Sequence, residues 1–219
     1  MNVVPAHTPD PLAELARAVR VLKGRGLAEL ERHRFSRYLA LLTTWNKAQR
    51  LTGIRSPEGI VRSLFRDSLL FLQELPEGAS LVADIGAGAG IPGVPIAIFR
   101  PEVSVTLIEA KRKKVSFLLT LVRDLELANV RVLEGRAETL IVARPELAES
   151  LDCVVSRAVR LTGPIFTAVM RYLRPGGRVV ISGSAQSDPT GIPGVERITR
   201  VSPELGLTRV FLSIAKPLT

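Results

Sequence analysis

Two patterns of apolar spacing divide the chain near residue 75. Before it, apolar positions recur every three or four residues. They are Leu12, Leu15, Val19 and Leu22, then Leu27, Leu30, Phe35, Tyr38, Leu42 and Trp45, then Ile60, Leu64 and Leu69. That spacing places each set on one face of a helix. "GRG" (24–26) breaks the first stripe, and Ser56-Pro57, a cap residue followed by proline, predicts the start of the third helix. From residue 80, short β-branched runs take over at 81–85, 103–108, 130–133, 152–155 and 178–182. Helical stretches lie among them at 93–100, 111–127 and 162–173. Strands alternating with helices predict a parallel sheet covered on both faces. The tail, "VERITRV" and "TRVFLSIA" joined by "SPELGL", predicts a terminal hairpin that adds one antiparallel strand. The expected fold is α/β, with a Rossmann-like sheet domain over residues 76–219 and a basic helical cap over 1–75. "SGSAQSDPTGIPG" (182–194) reads as a mobile loop.

Composition narrows the class. With 219 residues, 46% of them hydrophobic, the chain can bury a full core. A single cysteine, Cys153, excludes an internal disulfide and fits a reducing compartment. The N-terminal segment has no basic stretch followed by an apolar one, and no apolar run reaches membrane-spanning length. A soluble, cytoplasmic protein without a membrane partner is expected. His7, His33 and Cys153 lie too far apart for a metal site, so no metal is expected, and no Ser-His-Asp set is in prospect. Charge changes the picture more. Residues 1–70 hold twelve Lys/Arg and six Asp/Glu, so +6 of the net +9 lies in the first third. Such a bias suits a polyanion, most simply nucleic acid, whose phosphates supply sequence-independent affinity.

"SLVADIGAGAGIPGVPIAI" (80–98) carries the chemistry. A strand ending at Ile85 runs into glycines, which makes the first strand-to-helix turn of a nucleotide-binding sheet, where ligands gather. Gly86 and Gly88 permit a positive φ and leave room for a ligand, while Gly90 and Gly93 let the turn pack. Two ligand types compete. Gly88 to Gly93 matches the dinucleotide pattern GxGxxG, a weak signal alone. In register with the strand end, Asp84-Ile85-Gly86-Ala87-Gly88-Ala89-Gly90 instead resembles the S-adenosyl-L-methionine loop of Rossmann-like methyltransferases. That donor has no pyrophosphate to seat on a helix N-terminus. It carries an ammonium and a sulfonium, which favour a nearby acid, and Asp84 supplies one directly or through water.

The second strand, "VSVTLIEA", ends in Glu109, placed to accept hydrogen bonds from ribose hydroxyls. NAD enzymes use the same device, so Glu109 supports an adenosine ribose without separating the cofactors. The plainer alternative is a cap on the helix beginning at Lys111. "KRKK" (111–114) reads as a solvated helix start. The acceptor leaves its mark by omission. An Asn/Asp-Pro-Pro-Tyr motif, which serves exocyclic amines, is missing after the fourth strand, where "DCVVSRAV" stands. Cys153 sits within an apolar strand, as a core thiol would. A guanine N7 has a free lone pair at neutral pH, so positioning alone can carry much of its methylation.

Several segments together resemble one family: "WNKAQRLTGI" (45–54), "RDSLLF" (66–71), "DIGAGAGIPGVPIAI" (84–98), "TLIEAKRKKVSFL" (106–118), "GRAE" (135–138) and "VVSRAV" (154–159). Their order is similar to that in the bacterial small-subunit (16S) ribosomal RNA guanine-N7 methyltransferases, the glucose-inhibited division protein B family. The resemblance implies that Gly86 and Ile91 line the cofactor and that Ala137 and Glu138 frame its adenine. It places Arg157 at the junction of cofactor and substrate and turns Arg136 toward RNA. Either arginine would contact phosphate or guanine, and the partner would be ribosomal RNA or the small ribosomal subunit. Trp45 is expected in the core between cap and sheet. The chain departs from the family's pattern in three places. Arg50 stands where Asn is common, Leu64 where His is common, and Ser182 where Lys is common; Arg50 is a candidate replacement for the lost cation. Two alternatives stay open: a methyltransferase with another acceptor, or a catalytically silent ribosome-binding or assembly factor. An NAD-dependent oxidoreductase ranks below both.

Overall fold

Each apolar stripe of the first third becomes a helix. The structure, a computed structural model, describes residues 10–157, 163–183 and 194–218. Helix α1 (Ala13–Lys23) stops at Gly24, where "GRG" breaks the stripe, and Gly24 takes the left-handed conformation. Helix α2 (Glu29–Gln49) ends on Arg50, also left-handed. At the start of α3 (Pro57–Ile60) the Ser56 hydroxyl accepts from Gly59 N at 3.0 Å, the cap predicted from the dipeptide. The run continues through one π turn (Val61–Phe65) into α4 (Arg66–Glu74). That widened turn is invisible to a three-or-four-residue period.

The remainder alternates as expected, with β1 (Leu81–Ile85), α5 (Gly93–Phe99), β2 (Ser104–Glu109), α6 (Arg112–Asp124) and β3 (Val130–Glu134). Helix α7 (Ala137–Ala143) follows, then β4 (Leu151–Arg157), α8 (Gly163–Tyr172), β5 (Leu173–Gly183), β6 (Val195–Ser202) and β7 (Leu207–Ala215). Helix α7 is an addition to the expected pattern, seven residues between β3 and β4 where the apolar spacing predicts no helical stretch. Strand β5 begins five residues earlier than its apolar run, and its pairing with β4 shifts register between Leu151 and Cys153. The sheet order is β3-β2-β1-β4-β5-β7-β6, with β7 antiparallel to both neighbours. The hairpin tail thus places one antiparallel strand in an otherwise parallel sheet. Because β1 lies between β2 and β4, the order reverses there, and a crevice opens at the carboxyl ends of those strands.

One hydrophobic core runs across residue 75. Leu12, Phe35, Tyr38 and Phe65 of the cap belong to the same buried cluster as Val82, Val94, Leu107 and Phe117. Phe35 lies 5.1 Å, centroid to centroid, from both Phe65 and Phe99. Burying one such ring contributes about 1.5–3 kcal/mol. Trp45 packs edge-on against Phe117 of α6, 5.6 Å away, so it meets the helix layer rather than the sheet itself. Cys153 is fully buried, as expected. Much of the basic bias is structural too. Arg34 donates to the carbonyls of Leu125 and Glu126, Arg37 pairs with Asp124, and Arg17 donates to the Glu204 carbonyl. Among the described residues no helix is long and apolar enough to cross a membrane.

Candidate active site

The glycine turn is fastened from beneath by its neighbours. Gly86 N and Ala87 N both donate to the Ile108 carbonyl, at 2.9 and 3.1 Å. Gly88 N donates to Glu109 Oε2 at 2.9 Å, and Gly93 N to Asp84 Oδ2 at 2.8 Å. From the cap, the buried Tyr38 hydroxyl donates to the Ala89 carbonyl. At Gly88, whose φ is +56°, a Cβ would meet only Gly86 O and Lys114 Nζ, each at 3.6 Å, so the outer side is bare backbone. At Gly93 a Cβ would lie 2.5 Å from Leu107 Cδ2 and 2.9 Å from the Asp84 carboxylate. The first glycine leaves room for a ligand; the second lets helix α5 sit on the sheet.

Two cavities flank this ridge and share Gly86. The smaller, about 150 Å³, is lined by Ile85, Glu109, Arg136, Ala137, Glu138 and Ile165, among others. The larger, about 260 Å³, lies on the cap side among Leu51, Ile54, Leu64, Ile91, Lys114 and Arg157. Glu109 therefore reaches a cavity wall, although it also fills the plainer role of a helix cap. Its Oε1 accepts from Lys111 N at 2.8 Å, at the start of α6. A carboxylate offers about four lone-pair sites, so both bonds leave capacity for ribose hydroxyls.

Asp84 requires a correction. It lines neither cavity, because successive residues of a strand face opposite ways: Ile85 looks into the smaller cavity and Asp84 looks under the turn. Burial pushes its carboxyl up to about 7; the Gly93 N–H opposes this rise and the Glu109 charge adds to it. Asp84 Oδ2 thus braces the ridge, while its Oδ1 is buried without a partner. The same bond bears on the choice between donors. A pyrophosphate seats on the free N–H groups at a helix start, and here the first of them is already held by an acid. The residues fit a sulfonium nucleoside better than a dinucleotide.

The arginines are not brought together. Arg136 is the N-cap of α7 and lines the smaller cavity beside Ala137 and Glu138. Arg157, at the tip of β4, lines the larger one. Its Nη2 lies 3.7 Å from Asp67 Oδ2, an ion-pair distance, while its Nη1 is buried without a partner. Burial lowers the Arg157 pKa; Asp67 resists the shift and Arg209 adds to it. Asp67 is engaged chiefly by Arg209, whose Nε donates to it at 2.9 Å. Of the three departures, Leu64 lines the larger cavity and Ser182 pairs with Arg157 in the sheet register. The loop expected at residues 182–194 falls mostly outside the described residues.

Sequence reasoning misses three contributors. Lys114 is lost within the basic run "KRKK", although it lies one turn beyond Glu109 on the helix facing the glycines. Leu51, Thr52 and Ile54 come from the segment after α2. Tyr38 reads as a core residue in an apolar stripe, and its hydroxyl only gains meaning once Ala89 is beside it.

Known proteins share this chain's sequence pattern and its fold. A family model described as rRNA small subunit methyltransferase G (GidB) matches residues 31–189. A protein of that name from Xanthomonas oryzae pv. oryzae (strain MAFF 311018) is 38% identical over 80% of this chain and 78% of its own. One from Desulfitobacterium hafniense (strain Y51) is 35% identical over 81% of this chain and 73% of its own. Among solved structures, a SAM-dependent methyltransferase from Aquifex aeolicus superposes with TM-score 0.53 at 17% identity, covering 72% of this chain and 92% of that one. The [4+2]-cyclase SpnF superposes with TM-score 0.56 at 16% identity, covering 86% and 96%. With a cyclase on the same scaffold, the sheet alone does not choose the reaction.

Proposed function

Because this chain belongs to the rRNA small subunit methyltransferase G (GidB) family, we propose that it transfers a methyl group from S-adenosyl-L-methionine to N7 of a guanine in small-subunit ribosomal RNA. The observation that carries this reading is the pair of cavities meeting at Gly86, one walled by Glu109, Ala137 and Glu138, the other by Arg157 and Lys114. When the donor is bound, Glu109 would accept from its ribose hydroxyls and Ala137 and Glu138 would frame its adenine, while Gly86, Gly88 and Ile91 would hold the methionine half. The donor contributes an electrophilic methyl on a sulfonium.

The protein itself then has to place a base. Among the described residues lining the larger cavity there is no carboxylate or imidazole. An exocyclic amine would need a proton acceptor there, whereas guanine N7 needs none, so the absence suits this acceptor. Arg157 carries a buried N–H without a partner, which suits donation to guanine O6 or a neighbouring phosphate, leaving N7 toward the methyl. Asp67, itself held by Arg209, lies within ion-pair distance of the guanidinium. Asp84 positions the turn. The cap over residues 1–75 serves as the acceptor-side wall of the catalytic domain over 76–219. Action on ribosomal RNA, with the small subunit as partner, calls for a cytoplasmic location.

Mass spectrometry of nuclease fragments from small-subunit RNA tests the proposal in a strain lacking the gene. Loss of one N7-methylguanine, restored by the wild-type chain and not by Arg157→Gln, is the expected result. An unchanged pattern of methylated guanines would remove the assignment and leave a methyltransferase with another acceptor or a silent assembly factor.

A further inference from the structure

Among the cations of the first third, two groups contrast. One group is tied up: Arg25 pairs with Glu31, Arg32 with Asp10, Arg37 with Asp124 and Arg66 with Glu14. The other is gathered and untied. Thr43, Asn46, Lys47, Arg50 and Arg55 line a cavity of about 420 Å³ that contains no acid. None of its three cations makes an ion pair or side-chain hydrogen bond among the described residues. The Thr43 hydroxyl in the same wall is buried without a partner. Three cations facing one hollow repel each other, and an anion is what such a hollow accommodates.

Its position relates it to the site. Residues 50–55 form a wall common to two cavities, with Arg50 and Arg55 facing this one and Leu51, Thr52 and Ile54 facing the one that holds Arg157. Asn46 sets that wall rigidly, accepting from Thr52 N at 2.8 Å and donating to the Ile54 carbonyl at 2.9 Å. Arg50 adds a conformational argument. It ends α2 with a φ of +48°, in the left-handed region where Asn is tolerated and a long side chain is disfavoured. Arginine there carries a local conformational cost, and no ion pair or side-chain hydrogen bond among the described residues offsets it.

We infer that Lys47, Arg50 and Arg55 form a phosphate-binding hollow that grips the backbone of the substrate RNA beside the target guanine. It rests on the proposed function for the identity of the polyanion. Its contribution is to binding and register, so it acts on affinity for RNA rather than on the methyl-transfer step.

The test compares two triple variants of the full chain. One is Lys47→Gln with Arg50→Asn and Arg55→Gln. The control, Arg20→Gln with Arg123→Gln and Arg144→Gln, removes equal charge from positions outside the described cavities. Binding to undermethylated small-subunit RNA is measured across a potassium chloride series, with methyl transfer and calorimetric donor binding alongside. Each phosphate contact contributes about 0.7 to the slope of log affinity against log salt on single strands, so the first variant should lose about 2 from that slope. Its RNA KM should rise at least tenfold, with kcat and donor affinity within twofold of wild type, while the control keeps the wild-type slope. An unchanged slope, or equal losses in both triples, would overturn the inference. Arg50→Asn alone guards against misfolding, since it relieves the left-handed position. It should melt at or above the wild-type temperature yet bind RNA more weakly, and wild-type RNA binding would count against the hollow. If wild type transfers no methyl to RNA while the slope still falls, the enzymatic reading fails and the hollow stands.

Discussion

The two halves of the cleft are built from different materials. The donor half is built on the glycine turn and the tips of β1 and β2, fixed by sheet register and by the bonds to Ile108 and Glu109, with Ala137 held by the Tyr172 hydroxyl. The acceptor half shares that turn, since Gly86 to Ala89 also line the larger cavity, and adds side chains to it. These come from the π turn before α4, α6, the segment after α2 and the tip of β4, where an Arg157 N–H is buried without a partner. A backbone cradle tolerates little change, because its glycines and its acid answer to geometry. A side-chain wall can exchange a residue wherever the cavity allows. All three departures from the family's pattern, Arg50, Leu64 and Ser182, fall at or beside the side-chain wall and none in the cradle.

If the halves are as separable as this, substitutions should divide the same way. Arg157→Gln should slow methyl transfer by about 10²–10³-fold, the scale for losing one oriented donor. Donor affinity by calorimetry should stay within about twofold of wild type. A large loss of donor binding would join the two halves. Asp84 tests the cradle's foundation. Its carboxyl is raised from 3.8 to about 7 in the folded chain. The folded state therefore holds this proton more tightly than the unfolded state. The associated stability is fully present below pH 3.8 and is lost as pH rises through about 7. Urea unfolding between those limits should show a decline on the order of 4 kcal/mol from this group, and Asp84→Asn should flatten it. A variant with the wild-type slope would mean that Asp84 is not the group responsible.

Glu109→Ala should weaken donor binding by about 2 kcal/mol, or roughly 30-fold, by orphaning Gly88 N and removing the ribose acceptor. RNA binding without donor should be unmoved, as a filter assay would show. Tyr38→Phe is the mildest. Loss of the bond to the Ala89 carbonyl should cost about 1 kcal/mol of stability. Donor affinity should fall only a few-fold, measurable by thermal melting with and without donor.

The same division governs what is legible in the sequence. Period-two and period-three patterns disclose the strands, the cap helices and the hairpin tail because each is a local repeat of burial. The glycine spacing and Glu109 disclose the cradle because its parts are near in sequence and restricted in residue type. Other features escape. Helix α7 buries only Ala137 and Ile141, whereas the equally short α5 lies in a continuous apolar run, and the π turn at Val61–Phe65 leaves no periodic trace. The acceptor wall joins residues from 51 to 157 whose types, Leu, Thr, Ile and Lys, are ordinary in cores and helix ends. Asp84 is at the expected strand tip but faces the other side, since strand alternation decides its direction and the adjacent Ile85 takes the cavity. Charge is legible in amount only. Whether a cap arginine braces the fold, as Arg34 and Arg37 do, or faces a hollow, as Arg50 does, depends on partners up to 92 positions away.

One measurement tests the central claim most directly: crystals of the chain grown with S-adenosyl-L-methionine. The account predicts the ribose hydroxyls on Glu109, the adenine between Ala137 and Glu138, and the methyl facing Arg157 across the ridge of Gly86 and Gly88. A donor bound elsewhere, or one in this crevice with its methyl turned away from the Arg157 cavity, would contradict it.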